Sequence, residues 1–551
     1  MEFQYRYWGY SQASSSPQKT QLLFAPDHLR PPTFFVAELA QYLPFREAIS
    51  ALNAVVVSDL RFKPKDRTEY FAWLEQHEEV LLAEFMAEQQ ALQAKIKPLQ
   101  QELHALNQQS QEILAPYYKA QREYFNYLYK TDKAAWFVLD PVITVHPDQV
   151  FFECFSQDES SYGRLSCGYE TFKNISELAY GTTNIDYSEG LYQAFQKIRD
   201  YRQTRFEIDA SGFEVSSSQA DQFREEKIDL PDSWVRGFLQ VNSALTLPLV
   251  SFELHPMDIH NLCFHLRRRK ERVGPRSIRV LLKPGQAVEM LLEPWNIRLK
   301  CPRSIYQGRE EHEVRLWGRR RLLILERLIP VAKHFTVRLL GTGLPSFWVA
   351  DLGDMQFTLG LSGWTANDWS RVGNFDLMAP RADVDSQTAQ RVLNLLHKHW
   401  CASSSQLAQD LGLNEVMVKS ALAIYAQQGR VLFDTEQQLY RWRALSAQAL
   451  PMDALRFANP REERAHNLQA LGLAKIKQLD LPEANVLRIQ GQVMDDGKRQ
   501  TAVIWLDGDQ RLFKADCSCD FYIHNRLHKG PCEHMLALRM QYTQANNQRG
   551  L

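Results

Sequence analysis

Cysteine is scarce in this chain, eight in 551 residues. Five of the eight (Cys154, Cys167, Cys263, Cys301 and Cys401) are scattered singly. That distribution excludes a disulfide framework and suits a reducing cytoplasm. Long apolar runs are missing too, so no segment is expected to cross a membrane. The opening residues, "MEFQYRYWGYSQASSSPQ", lack a basic stretch followed by an apolar one, and a signal peptide is not expected. Net charge is lacking: −1 at neutral pH, which leaves the distribution of charge to speak for any partner. There is no Walker A loop, no His-Glu-x-x-His and no Gly-x-Ser-x-Gly. The expectation is a non-enzymatic protein of several domains.

What is present is a texture that changes along the chain. "AELAQYLPFREAISAL" reads as an amphipathic helix. Phe85, Leu92, Leu99, Leu106 and Ile113 then recur every seven residues, with Pro98 breaking the seam. An intermolecular coiled coil and an intramolecular helical hairpin both fit that pattern. From about residue 136 strand-like runs appear, such as "PVITVHPDQVFFECF" and "TRFEIDASGFEV", with a helical "EGLYQAFQKIRDY" between them. A second strand-rich stretch covers about 249–361. Residues 386–443 read as three helices and a hairpin, the order of a winged helix-turn-helix. Asn414 opens the third helix and Gly429 closes it.

The expected fold is therefore multidomain α+β. It comprises a helical region with the broken heptads (1–135), a mixed α/β region (136–247), a basic β-rich region (248–380), a winged helix (386–443), a connector (444–481) and a C-terminal strand-strand-helix unit (482–545).

Charge concentrates in the basic region. From Arg267 to Arg321 thirteen Arg and three Lys stand against six Glu, a net +10. Arg267, Arg268, Arg269, Lys270 and Arg272 form one run, and Arg319, Arg320 and Arg321 another. Clustered guanidiniums suit phosphate, and Trp295, Tyr306 and Trp317 could stack on bases. A solvated sheet face paired with acidic groups fits the same residues. The third helix of the winged unit is poor in cations, and its wing tip, Asp434-Thr435-Glu436, would repel phosphate. A protein contact suits it at least as well as DNA. His255, His260, Cys263 and His265 match no metal spacing and read as ordinary structural residues. Asp351, Asp354 and Asp368 sit among turn residues and read as caps.

The densest chemistry is "CSCDFYIHNRLHKGPCEH", Cys517 to His534. Residues two apart on a strand point the same way, so Cys517 and Cys519 can offer both sulfurs to one ion. Cys532 lies just before a helix whose first turn holds His534. Three thiolates and one imidazole make a closed tetrahedral structural zinc site. His524 and His528, in the intervening loop, are alternative ligands. The Cys-x-Cys…Cys-x-His pattern on a strand-strand-helix unit resembles the SWIM zinc finger over about Leu487 to Tyr542. The resemblance implies zinc bound by Cys517, Cys519, Cys532 and His534, and a module that binds DNA or protein without catalysis. It also implies possible partners, a MoxR-type AAA+ ATPase or a von Willebrand A-type protein. Two functions stand open: nucleic-acid binding through the basic segment and finger, or an adaptor for a separate ATPase system.

Overall fold

Among the described residues, runs of β-branched and aromatic residues pair into five sheets. The computed structural model describes residues 12–15, 19–24, 33–58, 141–184, 195–201, 203–208, 232–246, 249–271, 274–340, 345–362, 384–445, 460–483, 486–508, 512–527 and 530–549. All of these fall in one compact unit, Met1–Leu60 with Leu139–Leu551. The heptad segment, Arg272, Asp368 and His528 lie outside the described residues.

Strands β1 (Gln12–Ser15), β2 (Lys19–Phe24) and β3 (Phe34–Leu39) precede helix α1 (Tyr42–Val56). Next come β4 (Val142–Val145), β5 (Gln149–Phe155), β6 (Ser161–Gly168), β7 (Phe172–Ala179), β8 (Gly181–Asn184) and β9 (Gln203–Ile208). Helix α2 (Asp232–Leu245), β10 (Leu249–Leu254) and α3 (Pro256–Arg268) follow. The basic segment supplies β11 (Ile278–Leu282), β12 (Ala287–Leu292), β13 (Ile297–Ile305), β14 (His312–Leu316) and a 3-10 segment, Arg319–Leu328. Then come β15 (His334–Leu340), β16 (Ser346–Asp351) and β17 (Met355–Leu361).

One sheet runs β1-β2-β9-β3-β7, and the expected boundary after residue 135 cuts through it. Ala37, Glu38 and Leu39, expected as helix, lie in β3. That strand pairs with both β7 and β9, and the pairing outweighs their helix propensity. The largest sheet, β10-β15-β16-β17-β6-β5-β4-β8, likewise spans the expected boundary at 247. Its central strands are buried on both faces, which explains their unbroken apolar texture. Helix α1 covers one face, where Leu52 and Val55 close on Gly163. Helix α2 covers the other, where Phe238 meets Phe155 and Tyr162.

Residues 386–442 form α4 (Ser386–His399), β18 (Cys401–Ala402), α5 (Ser404–Leu411), α6 (Glu415–Gln427), β19 (Val431–Asp434) and β20 (Leu439–Trp442). Side chains of Asp385, Ser403 and Asn414 cap the three helices. The unit has its own core around Val392, Leu396, Leu407 and Leu422, but it is welded to the large sheet. Arg441 grips Asp148 in bidentate fashion at 2.8 and 2.9 Å and Asp434 at 2.9 Å. Arg443 meets Glu153 at 2.7 Å, both side chains being fully buried. His146 bonds the Trp442 carbonyl. The acidic hairpin tip does not stand out as an anionic tip. Asp434 is only 4% exposed, and Arg338 holds Thr435 and Glu436. Burial alone would raise the Asp434 carboxyl. Arg164 and Arg441 outweigh it and hold the group well below the ordinary carboxylate range. Helix α6 packs against α2 as well as against its own unit.

Candidate metal centre

The C-terminal module is built from α7 (Pro460–Ala470), β21 (Ala474–Glu483), β22 (Val486–Asp495), β23 (Lys498–Leu506), β24 (Leu512–Cys517), α8 (Asp520–Asn525) and α9 (Glu533–Arg549). The four strands form one antiparallel sheet in chain order. Asp496 and Gly497, both with positive φ, close the β22–β23 hairpin as an Asp-Gly turn should. Gly491 lets α9 lie close to the sheet, because a Cβ there would stand 2.2 Å from Leu538.

Cys517 pairs with Ala502 and faces inward. Ser518 turns outward and bonds Thr501 and Gln500. Cys519 turns inward again and caps α8, its sulfur accepting from the Tyr522 amide at 3.5 Å. Gly530, with φ +83°, reverses the chain into Pro531, whose carbonyl accepts from Arg461 at 2.9 Å. The Cys532 carbonyl then accepts from the Leu536 amide, and His534 sits in the first turn of α9.

The result is one buried cluster. The donor atoms of Cys517, Cys519, Cys532 and His534 all lie within 4.8 Å of one another. Cys517 Sγ and His534 Nδ1 are 3.8 Å apart. Ligands around a tetrahedral zinc with bonds of about 2.3 Å stand about 3.8 Å from each other, so the cluster fits. Electrostatics point the same way. Burial pushes the Cys519 thiol up to about 11, and the neighbouring Cys517 together with burial raises Cys532 further. Three crowded thiols in a buried site become thiolates only beside a cation.

Residues 502–538 match the SWIM zinc finger family. The Cys3His group of the SWIM finger could hold a metal ion and is consistent with zinc, which would tie strand, loop and helix together. No curated protein matches the chain. Among solved structures, a proliferating cellular nuclear antigen from Entamoeba histolytica is similar at 10% identity, over 41% of this chain and 89% of that one. Its TM-score is 0.28, too low an overlap to argue from.

One participant in the SWIM finger escaped the sequence reading. Asp495, the last residue of β22, accepts from His534 Nε2 at 3.0 Å. The bond leaves Nδ1 as the nitrogen facing the cysteines. Arg464 of α7 grips the same carboxylate. Burial pulls the His534 imidazole down, but Cys532, Glu533 and Asp495 outweigh it and leave the group raised. Such a carboxylate fixes the ring and sharpens its basicity, and its loss typically costs 10–100-fold in metal affinity, roughly. Asp495→Asn should therefore weaken zinc binding by about that factor in a chelator competition while the fold persists. Unchanged affinity would show that the ring needs no such support. His524 is turned away from the cluster, exposed and bonded to the Asp520 carbonyl.

The seven described basic residues of the two runs part company. Arg319 and Arg321 are 1% and 2% exposed and face inward. Arg319 donates to the carbonyls of Ser277 and Glu293 and lies over Trp295. Arg321 lies 3.8 Å from Asp158, and burial pulls its guanidinium down to about 10. Arg320 bonds the carbonyls of Leu266 and Arg269, tying off the end of α3. Arg267, Arg268, Arg269 and Lys270 are exposed, Arg267 pairing with Glu326. Tyr306 and Trp317 are buried and cannot stack on a ligand. His255 caps α3 and Cys263 bonds the Leu322 carbonyl, and no metal cluster forms there among the described residues.

Proposed function

We propose that this chain is a non-enzymatic, zinc-binding protein that binds nucleic acid through its SWIM finger, with Arg268, Arg269 and Lys270 as a second contact. One observation carries the reading. The finger's four donors converge in a buried, closed site, so its outward surface does the binding. That surface presents Lys475, Arg499 and Lys514, none of which has an ion-pair partner among the described residues. A closed Cys3His set favours a structural over a catalytic role.

Affinity of the full-length protein for an oligonucleotide should fall steeply with salt, as each neutralised phosphate releases counterions. Changing Arg268, Arg269 and Lys270 together to glutamine should flatten the log–log slope on a duplex by about 0.9 for each phosphate no longer neutralised. Binding indifferent to salt in both proteins would overturn the reading.

A protein-contact role has support at the helical unit. The order of α4, α5, α6 and the β19–β20 hairpin supports a winged-helix reading. Yet α6, the helix that would read bases, packs against α2, and the hairpin is held by Arg164, Arg338 and Arg441. Such a unit is better suited to building the scaffold of an adaptor, for an ATPase on a separate chain, than to reading duplex DNA. Nuclease treatment before co-purification separates the two roles: a protein partner that survives digestion favours the adaptor.

A further inference from the structure

The finger's sheet has two faces, and only one is covered. Ile489, Ile504 and Ala515 face the core beneath α9. Their neighbours in the chain face out. The strand register sets Arg488 opposite Trp505 and Trp505 opposite Lys514, so the three form one row across the open face. The Arg488 guanidinium lies 5.7 Å and the Lys514 ammonium 4.8 Å from the indole centroid. Gln490 and Gln492 stand in the next rows of the same face, both partly exposed, the Gln490 carbonyl accepting from Arg488 at 2.6 Å. Phe513, the extra residue where β24 slips against β23, is 53% exposed.

We propose that this open face is a stacking platform for single-stranded nucleic acid, with a base on Trp505 and its phosphate on Lys514. The proposal rests on the nucleic-acid reading above and names its ligand form and its surface. A half-exposed tryptophan flanked by cations has little to do for the fold, whose core lies on the other side. Magnitudes favour an exchange. An exposed cation–π contact is worth about 0.5–1 kcal/mol, whereas base–aromatic stacking is worth about 1–3 kcal/mol per base. Lys514 makes no ion pair among the described residues, so its ammonium is available to move from ring to phosphate. Arg488 is less available, since Asp480 holds it at 2.8 Å, and its task is to keep the ring oriented. Asp516, in the next row, lacks a cationic partner among the described residues and biases phosphates toward the Trp505 row. Glutamine amides offer both donor and acceptor to base edges. A duplex keeps its bases stacked inside and cannot place one on a sheet face, whereas a single strand can.

The test is fluorescence anisotropy of the full-length, zinc-loaded protein with labelled oligothymidylate, oligouridylate and a mixed-sequence duplex. Trp505→Ala should weaken both single strands at least about fivefold, the low end of one stack removed. Trp505→Phe should retain most of the affinity, and Lys514→Gln should lower it and flatten its salt slope. Duplex affinity should be unchanged in Trp505→Ala and Trp505→Phe. Zinc content and melting temperature report whether each variant is folded. If Trp505→Ala fails that check, Trp505→Phe and Lys514→Gln decide between them: wild-type affinity and slope in Lys514→Gln overturns the platform. Salt-sensitive binding that ignores Trp505 and Lys514 overturns the platform and leaves the nucleic-acid reading standing. No binding to any of the three probes overturns both.

Discussion

Replacing Cys517 or Cys532 by serine should empty the finger of zinc and unfold the sheet and helices around it. Elemental analysis of the purified wild-type chain should give one zinc ion, and of either variant close to none. The argument is the size of the core. Its buried members are few, chiefly Ile489, Ile504, Leu506, Tyr522, Met535 and Leu538, and the cysteines themselves are part of it. A module that small holds together poorly without a cross-link. Structural zinc supplies about 10–16 kcal/mol of apparent binding energy in small fingers, all of it coupled to folding. Amide exchange should accelerate from β22 to α9 in the variants and after chelation, while β5, β6, β16 and β17 stay protected. Because binding displaces thiol protons, occupancy should also fall as the solution is acidified. Full zinc content in Cys517→Ser, or protection unmoved by a chelator, would mean that the metal is not what holds the module. Full content in His534→Ala would return a loop histidine to the ligand set.

The ligands were legible because their geometry is local. Extended backbone continuing past the end of β24 puts Cys517 and Cys519 on one side, and the Gly-Pro turn delivers Cys532 and His534 to a helix start. Asp495 was not legible. Its approach to His534 depends on how α9 lies across the sheet, which rests on the absent side chain of Gly491. The second arginine run misled for a related reason. Consecutive charges read as a surface, yet Arg319 and Arg321 are both buried and turn to carbonyls and to Asp158. Pairing across a distance decided β3 as well. Ala37–Leu39 looks like the start of the following helix until the two neighbours of its strand in the sheet, one from beyond residue 170 and one from beyond residue 200, are known. The helices and hairpin of 386–442 were visible from their caps and turns, but nothing local announced that Asp434, Arg441 and Arg443 would be buried against the large sheet.

That burial makes Arg443→Met the substitution with the largest expected effect on the rest of the fold. Arg443 and Glu153 are both fully buried, 2.7 Å apart. Glu153 also accepts from Tyr162, and Arg443 from its other side donates to Asn242, which in turn donates to the Val431 carbonyl. Methionine fills similar volume but leaves the Glu153 carboxylate buried with only a phenol beside it. Breaking a buried pair in this way costs about 3–5 kcal/mol, because the orphaned charge has no water to turn to. Neutralising it should return much of the loss. The double variant Arg443→Met with Glu153→Gln should therefore be more stable than Arg443→Met alone, as read from the urea midpoint of the large sheet's unfolding. The same comparison bears on the helical unit. If the pair welds it to the sheet, Arg443→Met should also open the stretch around residues 384–445 to limited proteolysis, and the double variant should close it again. A single variant as stable and as protease-resistant as the wild type would mean that apolar contacts between α6 and α2 hold the unit on their own.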